Sequence, residues 1–410
     1  MFKSQLLRDG EEPYKPWVGQ KSRKRADRKA YWTFVVAVCL GIVGAAALVA
    51  TGYLSVKKHN FCLVMEDNFE GTTINDKIWF HEQQTGGFGN GEFEYTTASP
   101  NNSYVKDGQL YIVPTLTADS LGEGAITNGY TLNLTASNTC TSSNTSDVYC
   151  AVASNSSTGV VLPPVQSARL MTNFSTAIKY GRVEIRAKMP TGNWIWPALW
   201  MMPQSSVYGT WPKSGEIDIF ESRGNLIKSK DDDTYNVMHS TLHWGLDSMT
   251  DRYLKTSKVY QLYRNWYNQQ FHTFGLEWTP EGIYTWVDTP TRKVFSWKFD
   301  QSFWERGQFP TVSSNGTGYS DPWPKNSLAA PFDQKFYLIM SVAVGGTNGY
   351  FDEDDMPWSN NADNARKEFW NAKDSWYPTW PQAPEDRGML VDYVKVYQLD
   401  GVDGAACPAK

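Results

Sequence analysis

The chain has 410 residues, 41% of them apolar and 18 of them tryptophan, enough for one large core. Its formal charge of −5 is unevenly spread: residues 1–30 hold nine Lys and Arg against four Asp and Glu, residues 31–56 hold none, and residues 57–410 sum to −10. So acidic a C-terminal region argues against nucleic acid or another polyanion as partner, whereas a neutral ligand is indifferent to it.

Residues 1–30 are polar and basic and read as a flexible tail. Residues 31–56, YWTFVVAVCLGIVGAAALVATGYLSV, form an uncharged stretch of 26 residues, against the roughly 20 that a bilayer core requires. That is longer than the apolar part of a cleaved leader, so the reading is a retained signal anchor. Lys21, Arg23, Lys24, Arg25, Arg28 and Lys29 precede it, and only Lys57 and Lys58 follow closely. This bias predicts a single-pass type II protein, its N-terminus cytosolic and its C-terminal bulk extracellular or lumenal. Ala37, Gly41 and Ala45 read first as ordinary anchor residues and second as a helix-pairing row.

Residues 57–60 are a spacer, 61–400 a single folded domain and 401–410 a tail; no internal repeat or second linker interrupts the domain. Sequons at Asn101, Asn133, Asn144, Asn155, Asn173 and Asn315 all follow the anchor, as glycosylation in a secretory lumen requires. Cys39 lies in the anchor and leaves four cysteines. Cys140 and Cys150 bracket a short Ser/Thr/Asn stretch, which suggests a local staple. Cys62 and Cys407 stand at the two ends of the domain, where a second pairing is weighed against free thiols.

Residues 180–190, YGRVEIRAKMP, alternate Val183, Ile185 and Ala187 with charged residues. Residues 272–299 give three β-rich runs broken at turn residues, 335–346 an apolar run suited to a strand buried on both faces, and 389–399 a further alternation. Residues 361–372 are the best candidate for a short helix. Many short strands separated by turns predict an all-β sandwich of jelly-roll type. The irregular stretches 113–167 and 300–334 are expected as surface loops framing a binding face.

The chemistry concentrates in residues 209–225, GTWPKSGEIDIFESRGN, where Glu216, Asp218 and Glu221 interleave with Ile217, Ile219 and Phe220. Strict alternation puts Glu216 and Asp218 on one face and Glu221 on the other. A one-residue β-bulge around Ile219 and Phe220 would bring all three acids together. Crowded carboxylates raise one another's pKa and keep a proton available near neutral pH. Glycoside hydrolysis uses such a pair, one ionised to attack and one protonated to release the leaving oxygen. The pattern alone reads first as a solvated acidic strand face beside a buried apolar one, and second as a catalytic cluster.

The stretch EIDIFE resembles the catalytic strand of glycoside hydrolase family 16, in the bulged form of laminarinases and related β-1,3-glucanases. The likeness runs over residues 61–398, through GGFGNGEFEYTT (86–97), VKDGQLYIVPT (105–115), SARLMT (167–172), STLHWG (240–245), VAVGGTNGYF (342–351) and VDYVKVYQ (391–398). It implies a concanavalin-like β-jelly roll and an endo-acting, retaining β-1,3-glucanase, working on laminarin-like, mixed-linkage or branched chains. Glu216 would be the nucleophile, Glu221 the acid/base, and Asp218 the partner that tunes the nucleophile. Non-catalytic glucan-recognition relatives often lose one of these acids and are a poorer match. A cell-wall transglycosylase and a non-catalytic β-glucan receptor remain the alternatives.

Sugars stack their C–H faces on aromatic rings, and Trp211, five residues before Glu216, is the first candidate platform. Trp200 and the run WIWPALW (194–200) fit a cleft or the core equally. His243 reads either as a structural histidine or as a donor to sugar or acid/base. The likeness places Asn90 and Arg169 near the cleft, and Trp358 is expected to cap it. Catalysis would need no cofactor. A structural Ca²⁺, where family members carry one, points to Glu66 and Asp392, while the acidic run of residues 352–355 reads first as a solvated loop. The expected partners are β-glucan and, through the helix, a membrane; the expected state is a monomer.

Overall fold

The computed structural model describes all residues except 1–5, 17–18, 56, 144–146, 230–232, 313–315, 317, 353–354, 403–406 and 408–410. The described chain divides into two compact units, residues 1–59 and 60–410.

Among the described residues of the first unit, one helix, Lys21–Ser55, is long and apolar enough by length and composition to cross a membrane. It starts ten residues before the uncharged run, so residues 21–30 are helical and not the flexible tail expected of them. Lys, Arg and Ala are good helix formers, and an established helix extends through them cheaply. Hydropathy marks the apolar part of a helix, and propensity decides where the helix begins.

The second unit is a sandwich of two eight-stranded antiparallel sheets. One sheet runs Lys293–Lys298, Gly282–Val287, His272–Thr279, Gly181–Lys188, Met389–Leu399, Gln109–Ile112, Ser103–Lys106, with Phe61–Asp67 also paired to Met389–Leu399. The other runs Ser257–Gln261, Val237–His243, Glu216–Glu221, Ile195–Pro203, Phe336–Val344, Arg169–Met171, Phe80–His81, with Ala177–Ile178 also on Phe336–Val344. Alternation locates the interface between them: in Gly181–Lys188 every second residue is buried, and Val183, Ile185 and Ala187 enter the core. Phe220 meets Phe274 across the layers with ring centroids 4.5 Å apart, and Trp278 meets Phe336 at 5.5 Å.

The stretch expected as one large loop, 113–167, holds short elements of its own. Helices Thr117–Leu121 and Glu123–Thr127 and a small hairpin pack around Ile126, Val161, Leu162 and Trp370. Their apolar residues are too few and too short-ranged to show a period in sequence. In the 300–334 stretch, helix Phe303–Gly307 is capped by Ser302, and Trp323 and Phe332 are buried. The short helix expected within 361–372 is Ala365–Asn371, where Asn364 caps the Lys367 N–H at 3.1 Å.

Disulfides join Cys62 to Cys407 and Cys140 to Cys150, with Cα atoms 5.1 and 5.6 Å apart. Asn101, Asn133 and Asn155 are exposed and Asn173 is half-buried; Asn144 and Asn315 lie outside the described residues. Glu66 is paired with Lys395 at 3.1 Å and Asp392 with Arg186, so each already faces a fixed cation. In the acidic run, Asp352 and Asp355 are exposed and Asp355 pairs with Lys228, while residues 353 and 354 lie outside the description.

Candidate active site

The strand Glu216–Glu221 lies inside its sheet, between Ile195–Pro203 and Val237–His243. On one side Leu199 pairs with Phe220 and Trp200 with Asp218, which leaves Ile219 without an opposite number. On the other, Asp218 pairs with Thr241 and Glu221 with His239, three steps of chain against two. Ile219 and Phe220 both enter the core, as does Ile217. The extra residue reverses the parity of the strand, and Glu221 emerges on the face that carries Glu216 and Asp218.

Each of the two glutamates has a fixed hydrogen-bond donor. Trp211 Nε1 donates to Glu216 Oε2 at 2.6 Å, and Trp196 Nε1 donates to Glu221 Oε1 at 2.9 Å. His243 Nε2 lies 3.3 Å from Asp218 Oδ2, and its Nδ1 lies 2.6 Å from Asp251 Oδ2. Burial, then the charge of Asp218, pushes the Glu216 carboxyl up to about 8. Burial, then the charge of Glu221, pushes Asp218 up to about 6. Burial also raises Glu221. His243 is held well above the ordinary histidine range, because its bonds to Asp218 and Asp251 outweigh the burial that opposes its charge. The cluster thus holds an imidazolium against carboxyls that share protons near neutral pH. Glu216, Asp218 and the His243 imidazole also approach closely enough to suggest a metal cage. However, His243 already commits Nδ1 to Asp251 at 2.6 Å, and its Nε2 faces Asp218.

The aromatic residues divide between cleft and core. Trp211 is 41% exposed, and its ring centroid lies 5.7 Å from that of His243, which also stacks on Tyr253 at 5.3 Å. Trp200 is half-buried, donating from Nε1 to Ser341 Oγ at 3.1 Å. Arg169 is buried, its guanidinium held between the rings of Phe88 (4.0 Å) and Trp200 (4.5 Å) and paired with Glu82 at 2.7 Å, so it braces Trp200. Asn90 donates to Glu92 Oε1 at 2.8 Å and accepts from Asn348 at 3.1 Å, tying its turn to the loop after the strand Phe336–Val344. That loop departs at Gly345, where φ is +63° and a Cβ would stand 2.3 Å from the Phe93 ring. Trp358 does not cap the cleft: it is buried against Phe93, Trp194 and Phe369, and its N–H is spent on the Gly346 carbonyl. A tryptophan in a loop was expected at the surface, but this loop folds inward over the aromatic cluster.

Sequence reasoning did not single out Asp251, Tyr350, Arg223, Asp233 or His239, and it treated Trp196 only as part of a run. Tyr350 lies face to face on Trp196, centroids 3.8 Å apart and planes at 5°. The sequence signal for these residues was position: Tyr350 and Arg223 lie inside quoted stretches, His239 directly precedes STLHWG and Asp251 follows it by six residues.

Comparison with known proteins agrees with the fold. Residues 124–335 match the profile of glycosyl hydrolases family 16. A β-1,3-glucan-binding protein of Penaeus monodon is 38% identical over 379 residues, spanning 88% of this chain and 99% of that protein. The glucan endo-1,3-β-glucosidase A1 of Niallia circulans is 30% identical over 346 residues, which are 82% of this chain but 38% of that protein. Among solved structures, the laminarinase of Rhodothermus marinus superposes with a TM-score of 0.50 at 26% identity, covering 84% of this chain and 99% of that one. The chain belongs to glycosyl hydrolase family 16.

Proposed function

We propose that this protein is a retaining β-1,3-glucan hydrolase of the laminarinase-like branch, held in a membrane by its N-terminal helix with the sandwich on the extracellular or lumenal side. The observation that carries the reading is the convergence of Glu216, Asp218 and Glu221 on one face, each with raised proton affinity and the two glutamates each held by an indole N–H. The extra residue at Ile219 supports the laminarinase-like placement.

Glu216 attacks the anomeric carbon as a carboxylate, so the proton it shares with Asp218 must then reside on Asp218. The Trp211 N–H favours that distribution by donating to Glu216. Glu221, whose proton affinity is raised chiefly by burial of its carboxyl, gives its proton to the leaving oxygen. The Glu216–sugar ester is then broken by water, whose proton returns to Glu221, and the sugar leaves with its configuration retained. Trp211, exposed beside Glu216, supplies an apolar face for a sugar ring.

A second reading, glucan binding without cleavage, is favoured by the name of the Penaeus monodon relative. The two separate on incubation of the full-length chain with laminarin, lichenan and xyloglucan, Glu216→Gln alongside. Shortened β-1,3 oligosaccharides from the native chain only would support hydrolysis. Products longer than the starting oligosaccharides would mean transglycosylation, and bound but intact glucan would leave a receptor.

A further inference from the structure

Glu221 sits in a closed ring of side chains that the catalytic scheme does not use. On one side Trp196 donates to it and stacks on Tyr350. Beyond Tyr350 stands Arg223, its guanidinium carbon 5.0 Å from that ring's centroid and its Nη2 donating to the Tyr350 carbonyl. Arg223 Nη1 lies 3.2 Å from Asp233 Oδ2, the same oxygen that His239 Nε2 meets at 2.7 Å. His239 stands directly opposite Glu221 on the neighbouring strand, which closes the ring. The Arg223, Asp233 and His239 side chains are 16%, 25% and 20% exposed, so water screens their charges only partly. The hydroxyl of Tyr350 and Oδ1 of Asp233 are buried with no hydrogen-bond partner among the described residues.

An acid/base must hold a proton for the first step and accept one in the second, so its affinity has to be balanced. The groups facing Glu221 are Glu216 and Asp218 from its own strand, His239 and His243 from the next, Trp196 from the strand on the other side, and Tyr350 from the loop. Of the two histidines, His243 is committed to Asp218 and Asp251 on the nucleophile side. His239 faces Glu221 and Asp233, and its other neighbour across the sheet, Val259, brings no charge.

We propose that His239, held in place by Asp233 and Arg223, is a positioning residue that sets a positive charge beside Glu221 and thereby fixes the pH at which the acid/base changes state. Asp233 holds the ring by Nε2 at 2.7 Å. A cation opposite Glu221 favours its carboxylate and lowers its proton affinity against the burial that raises it. The proposal rests on the reading of Glu221 as acid/base.

The test uses the full-length chain in detergent, native and with His239→Gln, which keeps a hydrogen bond to Asp233 without the charge. Two readouts run together: the pH profile of kcat on laminarin oligosaccharides, and a ¹³Cδ-glutamate NMR titration with Glu221 assigned through Glu221→Gln. In His239→Gln the Glu221 midpoint and the alkaline limb of kcat are expected to rise together by roughly half a pH unit or more, with KM nearly unchanged. His239→Lys, carrying a fixed charge, is expected to bring the midpoint back to the native value or below, and His239→Asn replaces the Gln variant if that does not fold. A Glu221 midpoint unmoved in the folded uncharged variant overturns the proposal. If the native chain cleaves nothing, the acid/base reading fails, and the NMR titration still decides whether His239 controls Glu221.

Discussion

Glu216→Gln is expected to stabilise the fold, and to do so more as the pH rises. Glu216 in the native state is pushed from an ordinary 4.5 up to about 8, chiefly by burial and by Asp218. Between those two values the folded protein binds more proton than the unfolded chain, so stability is full below about 4.5 and is lost as the pH climbs through about 8. At about 1.4 kcal/mol per pH unit, an isolated carboxyl displaced that far would cost about 5 kcal/mol. Because the proton is shared with Asp218 and His243 lies close by, about half of that, ~2–3 kcal/mol, is assigned to Glu216. Glutamine keeps the acceptor for the Trp211 N–H and adds a donor toward Asp218, so it removes the cost without opening a cavity. In thermal melts at a fixed scan rate, the variant should gain about 3–6 °C over the native chain at pH 8 and almost nothing at pH 4.5. A gain that is the same at both pH values, or a loss that grows with pH, would refute the argument that buried charge repulsion is concentrated at this strand.

Trp196→Phe keeps the ring on Tyr350 but deletes the N–H that donates to Glu221. Losing an ordinary hydrogen bond, worth about 0.5–1.5 kcal/mol, should cut kcat by roughly two- to tenfold with a smaller change in KM, as steady-state kinetics would record. The pair Cys62→Ser with Cys407→Ser opens a link spanning 345 residues of sequence. Chain entropy predicts a loss of about 6 kcal/mol, read as a lower melting temperature with unchanged cleavage products.

What the sequence made legible is what depends on local pattern. The alternation of residues 180–190, 272–299 and 389–399 identifies strands because one face of each is buried, and parity alone requires an extra residue between Asp218 and Glu221 if the three acids are to share a face. What it concealed depends on register between distant strands. Trp196 and Trp200 are equivalent as letters, yet one donates to Glu221 and the other to Ser341. His239 is an ordinary strand histidine until the pairing sets it opposite Glu221, and Asp251 is an ordinary loop acid until His243 reaches it. Trp358 misled because exposure in a loop is a tendency of polar backbone, and an aromatic cluster can draw a loop inward.

The central claim is double displacement through Glu216, and the anomeric configuration of the first product tests it most directly. A laminari-oligosaccharide incubated with the full-length chain in detergent would be followed by ¹H NMR within the first minutes, before mutarotation. The account predicts that the new reducing end appears as the β-anomer and only later equilibrates, and that Glu216→Gln abolishes the signal. Initial release of the α-anomer would contradict it, because Glu216 could not then have formed and broken a bond to the sugar.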